Sequence, residues 1–196
     1  MMKKTLLILA AALSGVLAAG AQTGREWQDP AVNEINRLPM RSSFAAGERL
    51  SLDGVWKFHW VRNASERPSG IGAVDYDDAA WGSMPVPGMW ELDGYGDPVY
   101  VNIGYAWRGN FRNDPPYVPD AENHVGSYRR TFDIPASWGG KDIHLSIGSA
   151  TSNVYVWVNG RFVGYSEDSK LAAQFDITKF VKPGENLIAR SEEHTS

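Results

Sequence analysis

The sequence contains no cysteine. That excludes disulfides, thiolate zinc sites, iron–sulfur clusters and a cysteine nucleophile, and it leaves an oxidising compartment nothing to stabilise. No block of Lys or Arg is present either. The 19 basic and 23 acidic residues give a net charge of −4, which argues against nucleic acid or an anionic membrane as a partner. Beyond the first twenty or so residues, no stretch sustains a helical period. Without a helix, no glycine-rich loop can aim a helix N-terminus at a phosphate. Internal repeats and low-complexity tracts are absent. His59, His124, His144 and His194 are scattered without ligand spacing, so metal binding has no support. Gly164-Tyr-Ser-Glu-Asp168 lacks the second glycine of a nucleophile elbow and reads as a structural loop. Asn63-Ala64-Ser65 matches a glycosylation sequon, a motif short enough to arise by chance.

What is present is apolar and aromatic. The 196 residues are 43% hydrophobic and 12% aromatic, with 8 Trp, 20 Gly and 11 Pro. This is one domain's worth of chain with enough apolar surface to fill a core.

Both ends stand apart. Lys3 and Lys4 precede an apolar run from Leu6 to Ala19, and Ala19-Gly20-Ala21 is a small-x-small cleavage site. Residues 1–21 therefore read as a secretory signal, since a membrane span needs about 20 apolar residues and this run is shorter. The expectation is an exported protein, periplasmic or extracellular, with no membrane attachment after cleavage. At the other end, Asn186-Leu-Ile-Ala189 alternates as a strand, and Arg190-Ser-Glu-Glu193 stops it with charge and no turn residue. Residues 190–196 also equal the translation of a common sequencing-adapter run. They are expected to be a non-native tail, with the domain truncated before its last strands and an open apolar edge left behind.

Between these ends the chain divides into an irregular arm over 22–50, looking like a segment laid on another surface, and a domain over 51–189. Trp56, Phe58 and Trp60 alternate with Lys57 and His59, which predicts a half-buried strand with both histidine and lysine on its solvent face. His144 reads as solvent-facing in the same way. Met84-Pro-Val-Pro-Gly88 cannot be a central strand, because each proline removes a donor. Tyr128, Phe132 and Ile134 share a face, as do Ile143, Leu145 and Ile147. Val154–Val158 and Arg161–Tyr165 flank Asn159-Gly160, the signature of a type I′ hairpin. Phe175-Asp-Ile177 and Asn186 to Ala189 complete the set. Short strands separated by turns predict an all-β fold, an antiparallel jelly-roll β-sandwich.

Residues 88–125 read as a long loop carrying Trp90, Glu91, Asp93, Tyr95, Asp97, Tyr100, Asn102, Tyr105, Trp107, Arg108 and Arg112. Loops of this length in compact domains are commonly functional. Aromatic platforms beside amides, carboxylates and guanidinium groups suit the apolar faces and hydroxyl rings of sugars. The same aromatics equally suit a core or a domain interface. Glycoside hydrolysis needs two carboxylates across the scissile bond, and no such pair is identifiable.

Val86-Pro-Gly-Met-Trp-Glu-Leu-Asp-Gly-Tyr-Gly-Asp-Pro-Val-Tyr-Val-Asn-Ile-Gly-Tyr105 resembles the N-terminal segment of glycoside hydrolase family 2 β-galactosidases. So do Asn36-Arg-Leu38, Leu52-Asp-Gly-Val-Trp-Lys-Phe58, Pro115-Pro-Tyr-Val-Pro-Asp120 with Asn123, and Gly126-Ser-Tyr128. Val156 to Leu171 with Phe175-Asp-Ile177 extends the likeness, which covers residues 33–189. The Pro-Pro-Tyr-Val-Pro stretch favours the large galactosidase branch over the glucuronidase and mannosidase branches.

The resemblance implies a retaining hydrolase of terminal β-galactosides, with this segment as its first, sugar-binding-type jelly roll, a galactose-binding-domain-like fold. It implies that Asn102, in a Tyr-x-Asn motif, contacts the substrate sugar. Catalytic glutamates, Mg²⁺ ligands and a second sugar-contacting Asp would all lie beyond Ala189, so the fragment is expected to be inactive and to bind no cofactor. Mg²⁺, and Na⁺ with it, are implied for the full-length enzyme, as is a homo-oligomer. The partner expected is a β-galactoside or oligosaccharide. The alternatives are a free-standing secreted glycan-binding module and a β-glucuronidase or β-mannosidase of the same family.

Overall fold

A computed structural model describes residues 23–40, 47–97 and 116–194. The signal segment 1–21, Asn102 and the last two residues lie outside them. Nine strands are formed: β1 (Glu34–Ile35), β2 (Gly54–Val61), β3 (Gly82–Val86), β4 (His124–Ile134), β5 (His144–Ile147), β6 (Asn153–Val158), β7 (Arg161–Ser166), β8 (Ala173–Asp176) and β9 (Gly184–His194). Every pairing is antiparallel. The large sheet runs β1-β7-β6-β9-β4-β2-β3, and β5-β8 form a second, two-stranded sheet. Among the described residues the only helical pieces are short 3-10 turns. The all-β jelly-roll sandwich expected from the sequence is the fold observed.

Alternation builds the core. Trp56 and Phe58 of β2, Tyr128, Phe132 and Ile134 of β4, and Val154, Val156 and Val158 of β6 bury one face of the large sheet against Leu145 of β5 and Phe175 of β8. Lys57 stays exposed, whereas His59 is half-buried and stacks on Trp81 with centroids 5.4 Å apart. His144 is exposed. β3, with Pro85, lies at the sheet's edge as its prolines require.

The opposite face of the large sheet is also covered. Trp27, Ala64, Val125, Tyr155 and Tyr165 form a second buried cluster. The described part of the arm, 23–40, thus lies on its own domain: Glu34 and Ile35 pair with Ser166 and Tyr165, and the Tyr155 hydroxyl donates to Glu26 Oε2 at 2.8 Å. That pairing also makes Gly164-Tyr165-Ser166 part of a buried strand, not the loop expected there, because β1 supplies its outer edge. Arg129, only 3% exposed, fastens the 71–78 segment over this face. It donates from Nε to Asp78 at 2.8 Å and from Nη1 to the carbonyls of Ile71 and Ala73.

The strand expected to stop at Ala189 runs on. β9 pairs with β4 over His124↔His194 to Ile134↔Gly184 and with β6 over Asn153↔Glu193 to Val158↔Ile188. A strand held between two neighbours has its backbone bonds supplied from both sides, whatever its side chains. The charged side chains consequently enter the interior. Arg190 lies 4.0 Å over the Tyr128 ring and 3.4 Å from Glu192. Glu193 is fully buried and paired with Arg67.

The hairpin shows both positive φ angles that a type I′ turn demands, +49° at Asn159 and +82° at Gly160. The structure adds a second role for the asparagine. Its Nδ2 donates to Phe180 O at 2.9 Å and to Asn186 Oδ1 at 2.8 Å, and its Oδ1 accepts from Leu187 N–H at 2.8 Å. The turn residue therefore ties the β6–β7 hairpin to the start of β9. Asn159→Gly keeps the backbone conformation but removes these bonds. It is expected to lower stability by about 2 kcal/mol, read from urea denaturation.

Burial pushes the Glu193 carboxyl up to about 7, against the attraction of Arg67. Because its folded value exceeds the ordinary one, the folded state holds the proton longer than the unfolded chain does. The contribution of this one group is then greatest at acid pH, falls by roughly 3 kcal/mol as pH rises from the ordinary glutamate range to near 7, and levels off above that. Melting temperatures between pH 4.5 and 8 check this slope, and Glu193→Gln should flatten it.

Candidate functional site

The 88–125 stretch is described on both sides of its middle. On the first side, Trp90–Asp93 form a 3-10 turn closed by Gly94 at positive φ, and the Tyr95 N–H donates to Trp90 O at 2.9 Å. Trp90 is 3% exposed. Its ring meets Phe58 edge-on at 6.2 Å, and Tyr95 does the same at 4.8 Å. These two aromatics, candidates for a sugar platform, are packing anchors instead. Gly126 makes this possible, since a Cβ there would sit 2.6 Å from the Trp90 ring. Asp93 and Asp97 remain exposed, and Glu91 is half-buried.

The second side, 116–123, is bound to the 61–66 segment and the arm. Ala64 N–H donates to Asp120 O at 2.9 Å, Glu122 N–H to Asn63 Oδ1 at 3.1 Å, and Gln28 Nε2 to Val118 O at 3.2 Å. Asn63 of the sequon thus spends its amide inside the fold. Arg62 joins the two sides, at 2.8 Å from Glu122 and 3.8 Å from Asp97. The guanidinium holds the Glu122 carboxyl below its usual range. Trp60 lines the gap between them, with His124 at 5.0 Å and the Arg62 guanidinium 5.8 Å above its ring.

Sequence reasoning missed Arg62, Glu122 and His124. Arg62 and Glu122 lie 60 positions apart, and nothing local marks them as partners. Tyr100, Asn102, Tyr105, Trp107, Arg108 and Arg112 lie outside the described residues, so the one transferred sugar contact, Asn102, has no geometry to test it. No group of three His, Asp or Glu able to hold a metal occurs among the described residues. The implied Mg²⁺ therefore has no donor set among these residues. Ser166 is 4% exposed and accepts from Arg37, which leaves it no role as a nucleophile. What this end of the sandwich offers chemically is a pair of rigid stems, hydrogen-bonded to the domain and edged by carboxylates, a guanidinium, an imidazole and an indole. That is equipment for holding a polar ligand.

Known proteins place the chain. Residues 50–191 match the model for glycosyl hydrolases family 2, sugar binding domain. The β-galactosidase of Halalkalibacterium halodurans is 40% identical over 174 residues, covering 82% of this chain and 17% of that protein. That of Priestia megaterium is 43% identical over 139 residues, covering 71% of this chain and 13% of the relative. Among solved structures, a β-glycosidase from Bacteroides vulgatus superposes with a TM-score of 0.55 at 25% identity, covering 76% of this chain and 17% of that one. A β-glucuronidase from Ruminococcus gnavus gives 0.51 at 27% identity, with 73% and 21% covered. The chain spans less than a fifth of the length of these two β-galactosidases. Motif, fold and likeness converge: the chain belongs to glycoside hydrolase family 2, and residues 50–191 are its sugar-binding domain.

Proposed function

We propose that this chain is the leading part of an exported, retaining β-galactosidase, to whose catalytic domain the jelly roll lends a substrate-contacting loop. The observation that carries the reading is the 40% identity to a β-galactosidase over 82% of the chain. Retaining hydrolysis needs two carboxyl groups about 5–5.5 Å apart. In this reading those groups, and the ligands of Mg²⁺, belong to the polypeptide that follows Ala189. Asn102 fixes sugar hydroxyls, because one amide offers two donors and two acceptor lone pairs. Residues 1–21 direct export, and the full-length enzyme is a homo-oligomer.

A second reading, β-glucuronidase activity, draws support from the likeness to the Ruminococcus gnavus structure. The two substrates differ at C5, where a hydroxymethyl group stands in place of a carboxylate, and in the configuration of the 4-hydroxyl, so parallel assays separate them. The full-length gene product is expected to show a higher kcat/KM on a chromogenic β-galactoside than on the matching β-glucuronide; the reverse order sinks the first reading. A native reading frame that ends near residue 189 without a catalytic domain would instead make this a glycan-binding module.

Two further outcomes are expected. Purified residues 22–189 should release no chromophore above blank. In the full-length enzyme, Asn102→Ala should lower kcat/KM by about 1–3 kcal/mol, and unchanged kinetics would return that residue to a structural role.

A further inference from the structure

At the far end of β4 from the stems, a cleft of about 210 Å³ opens between the two sheets, lined by Ile134, Trp138, Asp142, Thr178, Val181 and Lys182, among others. The eleven residues of β4 separate the two ends by about 34 Å. Trp138, in the 3-10 turn Ala136–Trp138, packs against the main core yet stays half-exposed. Unlike Trp56, Trp60, Trp81, Trp90 and Trp157, it has no aromatic ring or cation against it. Its indole N–H is neither buried nor hydrogen-bonded among the described residues. Asp142 and Lys182 are exposed, and their side chains have no partner among the described residues. Lys141 is committed to Glu48.

We propose that this cleft is a second saccharide site that seats one neutral hexose, with an apolar sugar face on Trp138 and hydroxyls held by Asp142 and Lys182. The volume decides the size class, since it falls below the roughly 300 Å³ at which drug-sized pockets begin and suits a single ring. The charge decides the sugar class. One free carboxylate and one free ammonium, with Lys141 already neutralised, give the cleft no net preference for an acidic sugar. An indole with an apolar face and a free N–H is the amphipathic surface a pyranose requires. The site is independent of the loop that carries Asn102, and it requires no hydrolysis.

A ligand of about twelve heavy atoms binding at ordinary efficiency has a Kd on the order of 1 mM, within reach of ligand-observed NMR. The probes are methyl β-D-galactoside and lactose, titrated into the 196-residue chain. Saturation transfer to the sugar ring is expected. It should weaken about fivefold in both Asp142→Ala and Lys182→Ala and vanish in Trp138→Ala. The first two substitutions remove exposed, uncommitted side chains and leave the fold intact, so they decide the matter even where Trp138→Ala loosens the core. Absence of transfer at 20 mM sugar, or transfer unchanged in both Asp142→Ala and Lys182→Ala, overturns the site. So does protection of Trp138 from oxidative footprinting in the sugar-free full-length protein, which would make the cleft an interdomain contact. None of these results bears on hydrolysis of a β-galactoside by the full-length enzyme, so the two proposals fail separately.

Discussion

The ladder between β4 and β9 is the constraint from which the rest of the domain follows. It runs from His124↔His194 to Ile134↔Gly184 and places both strands at the centre of a sheet with neighbours on each side. A central strand of this kind presents alternate side chains to two faces, and here both faces are buried. Neither can be left to water, because Tyr128, Phe132 and Ile188 point one way and Val125 and Ala189 the other. The two-stranded sheet β5-β8 is too small to cover the first face alone, so Trp90 and Tyr95 fold back beneath β2 to finish it. Among the described residues, no sheet lies opposite the second face. It is closed by irregular chain, the arm with Trp27 and the 61–78 segment clamped by Arg129.

This accounting explains the placement of the stems. A loop between two strands could wander, but here its first side is fixed by the buried Trp90 and the half-buried Tyr95 and its second by backbone bonds to the 61–66 segment. The salt bridges of Arg62 are exposed and contribute little to stability. Their effect is on alignment, since a single guanidinium is shared by carboxylates from both sides. Packing sets where the stems stand, and charge trims how they face one another.

Where the sequence was legible, the information was local. Period-two alternation marked β2, the prolines marked the edge strand β3, and Asn159-Gly160 marked the hairpin, because each rule concerns residues within a few positions of one another. The features that sequence reasoning missed depend on distant chain. Asn159 reaches Phe180, Asn186 and Leu187, Arg129 reaches Asp78, and the arm finds β7 across some 130 positions. The stop expected after Ala189 rests on the charged side chains and on the likeness of 190–196 to an adapter translation, whereas the strand is held by the backbones of β4 and β6. Trp90 and Tyr95 show the same limit from the other direction: their composition suited a sugar platform and a core equally, and only Phe58 and Gly126 decide between the two.

The family-level conclusion and the galactosidase proposal draw on different parts of the chain. Membership rests on the sandwich and its motifs over residues 50–191, and those are explained almost entirely by packing: Gly126 makes room for Trp90, Trp56 and Phe58 fill the core, Asn159 and Gly160 make a turn. One fold can host different specificities, and this chain is similar both to β-galactosidases and to a β-glucuronidase. In the proposed reading, sugar recognition resides in side chains with no core to satisfy. Asn102, the proposed substrate contact, lies outside the described residues, and the separate saccharide site proposed in the cleft rests on Asp142, Lys182 and the open face of Trp138. A domain whose interior is dictated by its fold can vary at such uncommitted groups with little cost to stability, so a change there alters what the surface can hold without disturbing the core.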